Sequence, residues 1–270
     1  MTDIVSSTIR ELAQDRKLIP FIGAGFSIPL GLPAWSELIR RLAVQLDWDP
    51  DVFMQSGNNN YLQLAEYYVL KKSIGELRYE LSKGLQIDIN KLKSSEAHKL
   101  LTEISTKAIY TTNYDEGIEN AFELYKKKFS VIRNINDLKN AKENATLIYK
   151  FHGDFINDDS LVLTETSYFD RMQFEAPLDI RLRSDILDNT LLFLGYSLSD
   201  INIRTIFYKL SKINKELKSD CENYTAVLVT FGISEIQKEI LSRKWNVQVV
   251  ELDPKDKQKS LLDFLEKIYK

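Results

Sequence analysis

Short apolar runs alternating with stretches of helical periodicity constrain this chain more than any other feature. The runs fall at 18–22, 107–111, 129–132, 146–151, 191–194, 224–230 and 247–250. Leu191-Leu192-Phe193-Leu194 is apolar at every position, as a strand buried on both faces requires. Helical spacing fills 4–15, 36–46, 115–127, 176–189, 200–217, 233–244 and 258–269. Such alternation predicts an α/β fold built on a doubly wound parallel sheet, with any ligand held outside the carboxyl ends of the strands. Residues 49–101 show helical periodicity alone, broken near Ser56–Asn60, Gly75 and 84–88, and are expected to form a helical insertion. With 270 residues the chain is expected to be a single domain carrying that insertion.

Composition removes several alternatives. Hydrophobic residues make up 44% and charged ones 28%, which excludes a mainly disordered chain. A net charge of −3 gives no footprint for nucleic acid or an anionic membrane, and no direct nucleic-acid partner is expected. One cysteine, Cys221, supplies neither an internal disulfide nor a cysteine-rich zinc cluster, so no metal is expected. The amino-terminal segment lacks an apolar signal core, and no run approaches about 18 apolar residues. A cytoplasmic protein without a leader or membrane anchor is the expectation.

Four polar, glycine-bearing turns follow expected strands. The first, Gly23-Ala24-Gly25-Phe26-Ser27, lets backbone amides approach a phosphate, with Ser27 as a further donor. Position 28 is Ile, so the third glycine of G-x-G-x-x-G is missing, and a plain tight turn is an equal reading. In the second, Thr111-Thr112-Asn113-Tyr114-Asp115, an amide and a carboxylate sit two residues apart, and either could instead cap the helix that follows. The third, Phe151-His152-Gly153-Asp154, holds one of two histidines, a general base or a histidine satisfied by backbone. In the fourth, Leu194-Gly195-Tyr196-Ser197-Leu198-Ser199-Asp200, capping by Ser199 or Asp200 is the structural alternative. Helix and strand ends do not require four such turns to converge on one crevice, and a dinucleotide site does. His98, inside an amphipathic stretch, and Cys221, next to acids, are read as structural, and the lysine clusters at 71–72 and 126–128 as solvated surface.

Taken in order, GAGFS at 23–27, GLPAW at 31–35, TTNYD at 111–115, FHGD at 151–154 and GYSLSD at 195–200 resemble the sirtuin superfamily. The resemblance implies a Rossmann-like NAD-binding domain. It also marks departures: the four-cysteine zinc module of the deacylases is absent, and Ala34-Trp35-Ser36-Glu37 stands where they continue from Gly-Leu-Pro. The sequence is more similar to bacterial antiphage-defence sirtuin-like domains, which implies an NAD+ glycohydrolase that cleaves NAD to nicotinamide and ADP-ribose and depletes it in abortive infection.

By that resemblance Asn113 holds the nicotinamide ribose or the attacking water, Asp115 contacts the carboxamide or shapes its pocket, and His152 is the base. Gly23, Ala24, Gly25 and Ser27 bind the pyrophosphate, with Gly195, Ser197 and Asp200 on the adenosine side. NAD is then a substrate. A freely active NADase would harm its host, so the expected regulator is a homo-oligomer or a separately encoded protein, an ATPase or a nucleotide-processing enzyme, since 234–270 leaves no room for a sensory domain. Two alternatives keep the same crevice: a non-catalytic sensor of NAD or ADP-ribose, and a protein deacylase or ADP-ribosyltransferase.

Overall fold

In the computed structural model, which describes residues 3–156, 160–196, 201–216 and 224–269, the apolar runs become strands β1 (Leu18–Ile22), β2 (Ala108–Thr111), β3 (Phe129–Ile132), β4 (Thr146–Lys150), β5 (Thr190–Leu194), β6 (Ala226–Thr230) and β7 (Val247–Glu251). They form one sheet in the order β3-β4-β2-β1-β5-β6-β7, every pair parallel. From β1 the chain adds β2 beside it, places β3 at the far edge and fills the gap with β4, then returns to β1's other edge with β5. The reversal between β1 and β5 is the switch point at which such sheets open a crevice. Ser197, Asp200 and Cys221 lie outside the described residues.

Alternation along the strands divides the core into two layers, because successive side chains point to opposite faces. Phe21, Tyr110, Tyr149 and Phe193 face one side and pack against Leu182 of α11 (Pro177–Asp185) and Phe207 of α12 (Ile201–Glu216). Ile22, Ile109, Ile148 and Leu192 face the other, against α1 (Asp3–Gln14), α7 (Glu96–Glu103), α8 (Gly117–Leu124) and α14 (Lys257–Tyr269). On the first face Phe21 stacks with Phe193, ring centres 4.7 Å apart, and Tyr110 with Tyr149 at 4.6 Å. Burying these rings contributes about 2–3 kcal/mol each, and the offset stacking adds to it.

The segment between β1 and β2 is helical. α2 (Trp35–Gln45), α3 (Pro50–Ser56), α4 (Tyr61–Lys71) and α5 (Ile74–Gly84) bury Leu38, Leu42, Phe53, Leu64, Tyr68 and Leu77 in a core of their own. Asp49, Asn60 and Ser73 cap α3, α4 and α5 through side-chain oxygens, which is why the chain breaks there. α6 (Ile89–Lys93) follows, and α7 already packs on the sheet.

Some boundaries differ from the sequence reading. α9 (Ile135–Lys139) and α10 (Glu165–Met172) occupy segments read as connections, each opened by a capping side chain, Asn134 or Thr164. The helix expected over 233–244 is α13 (Glu235–Glu239) running into a wider π turn at Ile240–Lys244. Ser95, at the start of α7, makes no side-chain capping bond; its hydroxyl lies 2.7 Å from His98 Nδ1.

His98 is fully buried beneath Phe26, ring centres 4.7 Å apart, and burial pushes it down to about 4. Between pH 6.5 and 4 the unfolded chain therefore holds a proton that the folded chain does not, so acidification favours unfolding by about 1.4 kcal/mol per pH unit. Urea titrations at pH 7 and pH 5 are expected to show wild type losing about 2 kcal/mol more over this range than His98→Gln does. Equal losses would mean that His98 is charged in the fold.

Candidate functional site

The ladder register puts four strand ends at one level. Ile22 pairs with Thr111 on one side and Leu194 on the other, and Thr111 pairs with Lys150. Gly23, Thr112, Phe151 and Gly195 therefore leave the sheet side by side, strands about 4.8 Å apart. Asn113 and His152 each stand two residues beyond paired strand ends, so the two polar turns are neighbours in space although 39 positions separate them in the chain.

The glycine turn is stitched to the end of β5. Gly23 N donates to Leu194 O (2.8 Å) and Gly25 N to Gly195 O (2.9 Å). Gly195 has a φ of +76°, and a Cβ there would run into the Phe26 amide, so only glycine fits. Phe26 N and Ser27 N close short turns onto Gly23 O and Ala24 O. Of the amides at 23–27, Ala24's alone has no partner among the described residues. Two 3₁₀ turns, Ala24–Phe26 and Ile28–Leu30, lead from it to α2.

Ser27, Asn113 and Asp115 meet in one buried network. The Ser27 hydroxyl donates to Asp115 Oδ1 (3.2 Å) and accepts from Asn113 Nδ2 (3.1 Å). That chain fixes the amide's orientation, because the single Ser27 proton goes to the carboxylate. Asn113 Oδ1 is buried with no partner among the described residues, an acceptor waiting for a donor. Asp115 Oδ1 also accepts from Gly117 N at 2.9 Å, so Asp115 caps α8 as well as holding Ser27. Burial pushes its carboxyl up, while the Lys150 ammonium, the Gly117 amide and the Ser27 hydroxyl oppose the rise.

Beneath this network lies Lys150, 1% exposed, with Nζ 2.8 Å from the Asp115 carbonyl oxygen and 3.0 Å from Glu119 Oε1. The sequence reading passed over it; a lysine closing an otherwise apolar strand was the available signal. Tyr196 was quoted in a motif without a role. Its hydroxyl donates to Ile22 O at 2.9 Å and lies 2.9 Å from Thr112 Oγ1, fastening the β5 turn to the β2 turn.

His152 is buried, its ring edge-on to Tyr168 with centres 5.3 Å apart. Its carbonyl accepts from Val162 N, and Gly153 follows at φ +76° with its amide on Lys150 O, where a Cβ would collide with Ser160. Asp154 pairs with Arg133 and receives the Ile156 amide, which fixes the far side of the turn. Burial, with the nearby Arg171 charge adding to it, pushes the imidazole down to about 3, so the ring is neutral across the physiological range. It borders an open cleft lined also by Phe151, Tyr168, Arg171, Thr205 and Lys209. The structure thus brings Ser27, Asn113, Asp115 and His152 to adjoining turns.

A SIR2-like domain model matches residues 107–250, more than half of the chain and both polar turns of β2 and β4. The chain belongs to the SIR2-like family. Its relatives include "NAD(+) hydrolase ThsA" of Acinetobacter baumannii, 32% identical over 216 residues that cover 78% of this chain and 42% of that protein. The Enterococcus faecium protein of the same name is 31% identical over 73% of this chain and 40% of its own length. "Defense-associated sirtuin 2" of Bacillus subtilis is 29% identical over 77% of this chain and 20% of its own length. The chain thus spans less than half the length of each of these relatives. No described helix is long and apolar enough to cross a membrane.

Removing Lys150's charge leaves Glu119 buried without its partner and the Asp115 carbonyl without its donor. Lys150→Met is expected to cost about 3–5 kcal/mol in urea unfolding, and adding Glu119→Gln should restore part of that loss. A single variant as stable as wild type would show that the pair contributes nothing.

Proposed function

We propose that this chain is an NAD+ glycohydrolase, the effector of a bacterial antiphage defence system, acting in the cytoplasm to cleave NAD to nicotinamide and ADP-ribose. The observation that carries the reading is the buried, unpartnered Oδ1 of Asn113 at the switch point, on the turn beside a neutral His152. The names of the hydrolase relatives support it.

Water attacks C1′ of the nicotinamide ribose as the C1′–N bond breaks and its electron pair returns to the pyridine nitrogen. Positive charge gathers on the ribose, and the leaving group is cationic until it departs, so no strong acid is needed. Asn113 Oδ1 accepts from a ribose hydroxyl or from the attacking water. Asp115, through Ser27, keeps the Asn113 amide turned so that its oxygen faces the ligand. His152 takes the proton that water loses. The glycine turn lies at the pyrophosphate, with Gly195, Ser197 and Asp200 toward the adenosine; Ser27, expected there as a further donor, gives its proton to Asp115 instead. This reaction needs no metal.

Unrestrained cleavage would exhaust the host's NAD, so we further propose that the chain is held inactive until infection, by homo-oligomerisation or by a separately encoded ATPase or nucleotide-processing protein. A permanent monomer with full constitutive turnover would exclude that control.

His152→Ala and Asn113→Ala are each expected to lower turnover by about 10²–10⁴-fold while thermal unfolding shifts by a few degrees at most. Chromatography resolving nicotinamide and ADP-ribose measures this. Unchanged turnover in either variant removes the mechanism; NAD binding without any cleavage by wild type, alone or with partners, favours a sensor.

A further inference from the structure

Arg171 stands beside His152 in the same cleft, and no step above uses it. Its guanidinium lies 3.9 Å from the centre of the Phe151 ring, and Nη1 pairs with Asp179 Oδ2 at 2.7 Å. Nε and Nη2 are buried and have no hydrogen-bond partner among the described residues. These two nitrogens share one edge of the planar group, the fork that grips two oxygens of a carboxylate or phosphate at once. Leaving two donors of a cation buried and unpaired is unfavourable, and a ligand supplying two oxygens would relieve it.

The rest of the cleft suits such a ligand. Lys209 lines it from α12. The nearest carboxylate, Asp179, is already held by Arg171 and by the Ala176 amide, and Arg183 faces it too. Phe151 under the guanidinium and Tyr168 against His152 keep the surroundings apolar, where a charged hydrogen bond is stronger than in water.

We propose that the Nε–Nη2 edge of Arg171, with Lys209, is an anion-receiving subsite that takes a phosphate-class group next to His152. The group is either a phosphate of the dinucleotide itself or a free phosphate-bearing metabolite. Its position gives it a chemical consequence if the glycohydrolase reading holds: an anion there offsets the positive charge beside the imidazole and makes His152 a better proton acceptor. Binding itself does not depend on that reading.

The test is inorganic phosphate titrated into the intact chain at constant ionic strength, followed by calorimetry and by thermal unfolding, without NAD. Wild type is expected to bind, Arg171→Lys to bind at least tenfold more weakly because lysine keeps the charge and loses the fork, and Lys209→Met to weaken binding severalfold. His152→Ala should still bind phosphate, which separates this proposal from the catalytic one. A KM for NAD raised in Arg171→Lys assigns the subsite to the dinucleotide; an unchanged KM with phosphate-dependent kcat assigns it to a free anion. Phosphate binding that is equal in wild type, folded Arg171→Lys and Lys209→Met overturns the proposal. Should Arg171→Lys not fold, unchanged binding in Lys209→Met overturns it alone.

Discussion

The carbonyl oxygen of Ile22 accepts three donors: the Thr111 and Tyr196 hydroxyls, each at 2.9 Å, and the Thr112 amide at 3.2 Å. Ile22 ends the central strand, so these bonds tie the outgoing turns of β1, β2 and β5 to one atom. A carbonyl with two lone pairs is fully occupied by this, and no water is needed to satisfy it. Thr111 also receives the Asn113 amide on its hydroxyl, which sets where Asn113 leaves the strand. The alignment of the polar turns is thus a property of the sheet's end and not of the loops themselves.

Much of this was legible in the sequence because local signals and the global fold agree. Leu191-Leu192-Phe193-Leu194 reads as a strand buried on both faces, and it is one. Glycines after strands, an amide and a carboxylate two apart, and a histidine at a strand end marked the crevice. The Ser27–Asn113–Asp115 network joins residues 86 and 88 positions apart, and no spacing rule gives such a bond. Lys150 pairing with Glu119, and Arg171 lying over Phe151, were hidden for the same reason: each contact needs the crossover geometry before it has a partner. Short caps decided the remaining misses, as at Asn134 and Thr164, where capping bonds start a helix that periodicity does not announce.

Asp115 serves two neighbours at once. Its carboxylate takes the Gly117 amide at the start of α8 and at the same time holds Ser27. Asn113 does no capping, and its free oxygen is what the cap leaves over. A helix start and a polar network therefore share one carboxylate oxygen, while Lys150 beneath holds the backbone carbonyl of the same residue.

The helical layer between β1 and β2 closes its core with Leu161 and Leu163, residues from the far side of the sheet's chain order. Val162 between them donates its amide to the His152 carbonyl and accepts the Tyr114 hydroxyl at 2.5 Å, while Tyr114 stacks on Trp35 at the start of α2. One residue thus couples three bodies: the insertion, the turn of Asn113 and the turn of His152. A force that shears the helices across the sheet reaches the imidazole by this segment and also through α10, where Glu66 holds the Thr166 amide and Tyr168 lies against the ring. The insertion is in this sense a lever whose short arm ends at the histidine.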